Sequence, residues 1–184
     1  MALTPSSMVP LGTAAPDFNL PDPSGEMFSL GAVAGKSGLL VVFMCNHCPY
    51  VIHLHDALAE LGRKLEAQGV GMVGINSNDY VKYPADSPAA MAEEIVQVGY
   101  TFPYLIDESQ AVAKAYQATC TPDFFLYDAG LSLVYRGQYD GSRPGNDVAV
   151  TGEDLYAAID ALVTGAPPRE GQRPSMGCNI KWRG

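Results

Sequence analysis

Basic residues are scarce in this chain of 184 residues: 11 Lys and Arg stand against 20 Asp and Glu, a formal net charge of −9. That balance argues against nucleic acid and anionic membrane as partners, since both are bound through Lys and Arg. Long apolar runs are missing too, and no window approaches the roughly 18 residues of a membrane span. The stretch from Met1 to Pro10 lacks the basic n-region and apolar segment of a secretory signal, so the expectation is a cytoplasmic protein. Cysteine is sparse: four in the chain are too few for a disulfide scaffold and have to be explained one by one. What remains, 47% hydrophobic and 17% charged residues, suits one domain of ordinary size with a core of its own.

Two of the cysteines form Cys45-Asn46-His47-Cys48, with Pro49 behind and the apolar run Gly38-Leu39-Leu40-Val41-Val42-Phe43-Met44 in front. A CxxC placed where a buried strand hands over to a helix is an arrangement used for reversible dithiol/disulfide chemistry, which needs thiols that are close, ionisable and reachable. The first expectation is therefore a thiol-disulfide oxidoreductase that needs no metal or organic cofactor. Cys45 is expected to be the more exposed, attacking thiolate and Cys48 the resolving thiol. A thiol of pKa near 8.5 is only about 3% thiolate at pH 7, and bringing it to about 7 takes roughly 2 kcal/mol. A helix N-terminus typically contributes about 0.3–1 kcal/mol, which leaves a share for His47 if it is protonated or donates to sulfur. Positions three apart in a regular helix have Cβ atoms about 5–6 Å apart, whereas a disulfide needs about 3.5–4.5 Å. Cys45 thus belongs in the turn that leads into the helix, and Pro49 fits the first helical position.

Residues 15–20 and 26–30 read as two short extended pieces about a Pro/Gly turn. Gly38 to Met44 is a strand covered on both faces, and Val51 to Gln68 a helix that stops at Gly69. Val70 to Ile75 is a second buried strand and Ala89 to Val98 a second helix, giving a βαβ unit. Then come a strand in Thr101–Ile106, a helix in Gln110–Tyr116, a hairpin of Phe124–Tyr127 with Leu131–Tyr135, and a last helix over Glu153–Val163. From Gly165 the chain is rich in Gly and Pro.

This order, with CxxC after the first core strand and Thr121-Pro122 before the hairpin, resembles the thioredoxin fold. Ala15-Pro16-Asp17-Phe18 with Pro21-Asp22 and Gly25 is similar to the start of the peroxiredoxin-like branch, the alkyl hydroperoxide reductase/thiol-specific antioxidant group. Met44 to Val51, Gly74 to Tyr80 and Gly177-Cys178-Asn179-Ile180-Lys181-Trp182 resemble a bacterial thioredoxin-like, thiol-disulfide isomerase group, and the resemblance spans residues 15–183. It implies an α/β fold with a central mixed sheet flanked by helices, an N-terminal β-hairpin extension and a C-terminal tail. The implied domain runs over 1–164, with a leader at 1–14 and the hairpin at 15–30, and the tail 165–184 docks on it. It also implies a cis-proline at Pro122 facing the pair, with the Thr121 backbone as a short edge for an extended substrate. The chain departs from thioredoxins in having Met44 before the first cysteine and Asn46-His47 between the two. It departs from the peroxiredoxin PxxxTxxC pattern as well, because neither the frame of Cys45 nor that of Cys48 supplies the Pro and Thr.

Cys120, two residues before Pro122, reads as a third redox thiol or as a half-buried side chain without chemistry. Cys178 reads as a packed anchor or a resolving partner, docked through Ile180 and Trp182. His53 and His55 read as solvated helix residues, since His53 lies about 140° round the helix from Cys48 and His55 about 10 Å along it. Thioredoxins keep a buried acid under the pair; here Asp79 stands as that acid or as a cap. The expected partners are protein or small-molecule thiols and disulfides together with a recycling reductant. A second reading is peroxide reduction through a Cys45 sulfenic acid resolved by Cys48 or Cys178. A third, more remote, is a copper carrier built on soft sulfur ligands.

Overall fold

The computed structural model describes residues 3–184. The chain starts with a short strand β1 (Leu3–Pro5), the hairpin β2 (Asn19–Pro21) and β3 (Met27–Ser29), and a single turn α1 (Leu30–Val33). It continues through β4 (Gly38–Phe43), α2 (Pro49–Ile52), α3 (His55–Ala67), β5 (Val70–Asn76), α4 (Pro88–Glu94), β6 (Tyr104–Ile106) and α5 (Ala111–Tyr116). It closes with β7 (Cys120–Thr121), β8 (Asp123–Asp128), β9 (Leu133–Gly137), α6 (Glu153–Thr164) and β10 (Met176–Asn179). Five strands form a mixed sheet in the order β6-β5-β4-β8-β9, with β4, β5 and β6 parallel and β8 and β9 antiparallel.

The apolar run of β4 explains its central place. Leu40 and Val42 face a core that holds Leu58, Leu61 and Leu65 of α3 and Leu155 and Ile159 of α6. Leu39, Val41 and Phe43 alternate to the opposite face, against Val112, Ala113 and Tyr116 of α5 and Leu30 and Val33 of α1. A strand packed on both faces carries no polar position, so it also carries no acid to place under the cysteines. Among the described residues no helix is long and apolar enough to cross a membrane.

The expected helix over 51–68 is two pieces. Leu54 leaves the helical region at φ −107°, ψ 3°, and α3 starts afresh at His55 with Leu58, Leu61 and Leu65 turned inward. The strands β1 and β10 have no signature in the sequence, because each is too short for an alternation. They pair with each other and with β7 in a second sheet of order β1-β10-β7.

Asp123, directly after Pro122, is fully buried. One carboxyl oxygen accepts the Thr119 N–H at 3.3 Å, while the other has no hydrogen-bond partner among the described residues. Burial pushes its pKa up to about 7, against smaller opposing contributions from backbone N–H groups and Arg136. The folded state therefore keeps a proton that the unfolded chain gives up. The cost to stability is absent below about pH 4, where both states hold the proton, grows as the pH rises from there to about 7, and is complete above it. Asp123→Asn is expected to raise the melting temperature by about 5 °C near pH 8.5 and by much less near pH 5, as measured by calorimetry.

Candidate active site

The site forms where β4 runs out. Met44 still donates its N–H to Ile75 at 3.0 Å, after which residues 45–48 turn away from the sheet. Cys48 is the N-cap of α2 with extended backbone (φ −74°, ψ 120°), and Pro49 takes the first helical position. Both cysteines thus lie before the regular helix, as the spacing argument requires. Their exposure differs from the expectation: Cys45 is 1% and Cys48 0% exposed. The reason is Thr121, which closes over the pair from β7, with the Thr121–Pro122 peptide in the cis form.

The Cys45 sulfur lies 3.5 Å from the Thr121 hydroxyl, and the Cys48 thiol donates to the Thr121 carbonyl at 3.1 Å. The two sulfurs are hydrogen-bonded to each other. Donation from Cys45, then from Thr121 and Cys178, favours charge on Cys48 and brings it down to about 4 despite burial. Cys45 is pushed up by donating to Cys48, by burial and by the nearby Asp86 carboxylate. The Thr121 carbonyl works the other way, since a carbonyl only accepts and its contact requires the proton on Cys48. With that proton in place the charge sits on Cys45 beside the Thr121 hydroxyl. One anion is common to both arrangements.

Beneath the pair lies an acid that sequence reasoning missed, Asp86. Its carboxylate accepts the Asn46 N–H at 2.9 Å, the His47 N–H at 3.3 Å and the Asn78 amide at 2.8 Å. It also pairs with His47 Nδ1 at 2.7 Å, and the His47 ring stacks on Tyr83 with centroids 5.4 Å apart. Asn46 in turn accepts the Tyr104 hydroxyl at 3.0 Å. The only hint in the sequence was the Pro84-Ala85-Asp86 turn, whose acid is far from the motif along the chain. Asp79, read from the sequence as that acid or as a cap, accepts the Val81 N–H at 3.2 Å and lies 3.7 Å from Lys82. It caps its own turn. Ligand atoms of Cys45, His47 and Asp86 lie within 4.8 Å of one another, but His47 and Asp86 are already spent on each other.

A model of the Redoxin family matches residues 10–155. The chain belongs to the Redoxin family. Thiol-disulfide oxidoreductase ResA of Geobacillus kaustophilus is 31% identical to this redoxin over 125 residues, covering 68% of the chain and 67% of that protein. A solved structure of an uncharacterized conserved protein from Geobacillus kaustophilus superposes with a TM-score of 0.97 at 48% identity, over 100% of this chain and 97% of that one. Hypothetical protein SMc02350 from Sinorhizobium meliloti 1021 gives 0.96 at 49%, covering 98% of each chain. The fold is the thioredoxin fold, shared with more distant solved structures, and the redoxin is an oxidoreductase of the thiol-disulfide class.

The remaining thiols part ways. Cys178 of β10 lies opposite Thr121 and hydrogen-bonds the Cys48 sulfur. Cys120 points elsewhere, its thiol donating to the Pro122 carbonyl at 3.6 Å. Neighbours along a strand face opposite ways, so bringing Thr121 to the pair turns Cys120 from it. Burial and Asp123 push the Cys120 thiol up. His53 and His55 are half-buried: His53 meets the Ser142 hydroxyl, and His55 Nε2 lies 3.3 Å from Glu94 Oε1 without a hydrogen bond to it. The Thr121 edge that an extended substrate was expected to use is occupied by β10.

Reduced protein is expected to show one thiolate between about pH 5 and pH 8 in its ultraviolet absorbance. Replacing both Cys45 and Cys48 by Ser is expected to remove it, because burial holds the Cys120 and Cys178 thiols up. Asp86→Ala strands the N–H groups that Asp86 accepts and is expected to cost about 3 kcal/mol or more in denaturant unfolding.

Proposed function

We propose that this redoxin performs thiol-disulfide exchange through Cys45 and Cys48 on protein or small-molecule disulfides, in a cytoplasmic setting where thiols persist. The observation that carries the reading is the division of labour at Thr121. Its hydroxyl faces the Cys45 sulfur at 3.5 Å and its carbonyl holds the Cys48 proton at 3.1 Å. Cys45 as thiolate attacks one sulfur of a substrate disulfide. The substrate S–S bond breaks, its leaving thiolate takes up a proton, and a mixed disulfide forms. Cys48 then gives up its proton and attacks Cys45, forming the Cys45–Cys48 bond and expelling the second thiol. An external thiol reductant restores the pair.

His47, aimed by Asp86, serves to steady charge near Cys45. Asn46 ties the turn to Asp86 and Tyr104, Pro49 sets the start of α2, and Pro122 leaves no N–H at position 122. A second reading, reduction of a peroxide by Cys45 with Cys48 resolving the sulfenic acid, is favoured by the Redoxin match over residues 10–155. Peroxide consumption no faster than that of free cysteine eliminates it.

Cys45→Ser is expected to reduce turnover of a protein disulfide to the uncatalysed rate, and Cys48→Ser to accumulate mixed disulfides that mass spectrometry detects. An active Cys45→Ser enzyme refutes the exchange reading.

A further inference from the structure

Thr121 is also where the pair meets the C-terminal strand. β10 runs antiparallel to β7, with Cys178 opposite Thr121 and Asn179 opposite Cys120. An extended peptide adding to this edge would dock in the same way, and here residues 176–179 of the chain itself take the place. Gly177 makes the approach possible, because a Cβ at that position would stand 1.9 Å from the Thr121 carbonyl oxygen. Beyond the strand, the Lys181 N–H donates to Asn78 at 2.8 Å and the Arg183 N–H to Gln110 at 2.8 Å. The dock delivers the Cys178 thiol to the Cys48 sulfur. Cys48 is thus the middle one of three sulfurs, hydrogen-bonded to Cys45 on one side and Cys178 on the other.

We propose that Met176–Asn179 is a built-in substrate strand whose Cys178 is a third redox thiol, exchanging into the Cys45–Cys48 disulfide. The inference rests on the exchange reading of the Cys45–Cys48 pair. Once the Cys45–Cys48 disulfide exists, the Cys178 thiolate attacks the Cys48 sulfur. The Cys48–Cys178 bond forms as the Cys45–Cys48 bond breaks, the electron pair leaves on Cys45, and Cys45 takes up the proton that Cys178 lost. One disulfide replaces another with no net oxidation or reduction. Cys45 returns as a free thiol while the disulfide is held at the tail.

The order of events is built into the charges. In the reduced protein Cys178 is pushed up to about 12, by burial first and then by its hydrogen bond to Cys48 and the charge there, with Lys181 opposing. Oxidation of the pair consumes its thiolate, so Cys178 ionises more readily only after there is a disulfide to attack.

The test is to equilibrate the full chain in glutathione buffers of rising oxidised fraction, block the thiols and map the disulfides by mass spectrometry. Wild type is expected to hold at least about one tenth of its disulfide as Cys48–Cys178. Cys45→Ser is expected to form Cys48–Cys178 as its main internal disulfide. Gly177→Ala, which forces the strand off Thr121, is expected to lose Cys48–Cys178 while still forming Cys45–Cys48. If wild type forms Cys45–Cys48 but no Cys48–Cys178 at any poise, the inference is overturned and the exchange reading stands. If no Cys45–Cys48 disulfide forms either, both are overturned.

Discussion

The carboxylate of Asp86 is the contact on which the site depends. A CxxC turn leaving a buried strand carries backbone N–H groups that no ladder satisfies. Asp86 accepts two of them, from Asn46 and His47, and also the His47 ring and the Asn78 amide. One buried acid therefore sets the turn, the orientation of the histidine and the link to the end of β5. The same placement puts negative charge beside Cys45. That contact disfavours charge on Cys45.

The second constraint comes from the opposite side of the cysteines. Thr121 offers one sulfur a hydroxyl and the other a carbonyl, and its far edge is closed by the strand from the C-terminus. A backbone ladder holds that strand, a glycine allows its close approach, and the side chains of Asn78 and Gln110 anchor Lys181 and Arg183 past its end. The reduced site is accordingly buried. An external peptide reaching the Thr121 edge has to compete with the chain's own residues 176–179.

Much of the sheet was legible because its elements are strong local signals. Gly38–Met44 is apolar throughout, as only a doubly covered strand is, and Pro49 with the Cβ spacing placed the cysteines ahead of the helix. Less legible were features that depend on partners. The helix after the motif breaks at Leu54 although its apolar spacing continues. His53 and His55, polar residues on a helix, find Ser142 and Glu94. Strands of three or four residues such as β1 and β10 show no periodicity at all, and they exist because they have one another and β7 to pair with.

From the sequence alone came the expected chemistry: two thiols three residues apart at a strand-to-helix junction, with a histidine between them. Those are properties of neighbouring residues, and local geometry carries them. The tertiary structure alone decided which acid lies under the pair, which of Cys120 and Cys178 reaches it, and what occupies the edge of Thr121. Asp86 is 38 positions from Cys48 along the chain and Cys178 is 130. Contacts at such separations are created by the sheet order and strand register that bring β4, β7 and β10 together, and no local pattern encodes them.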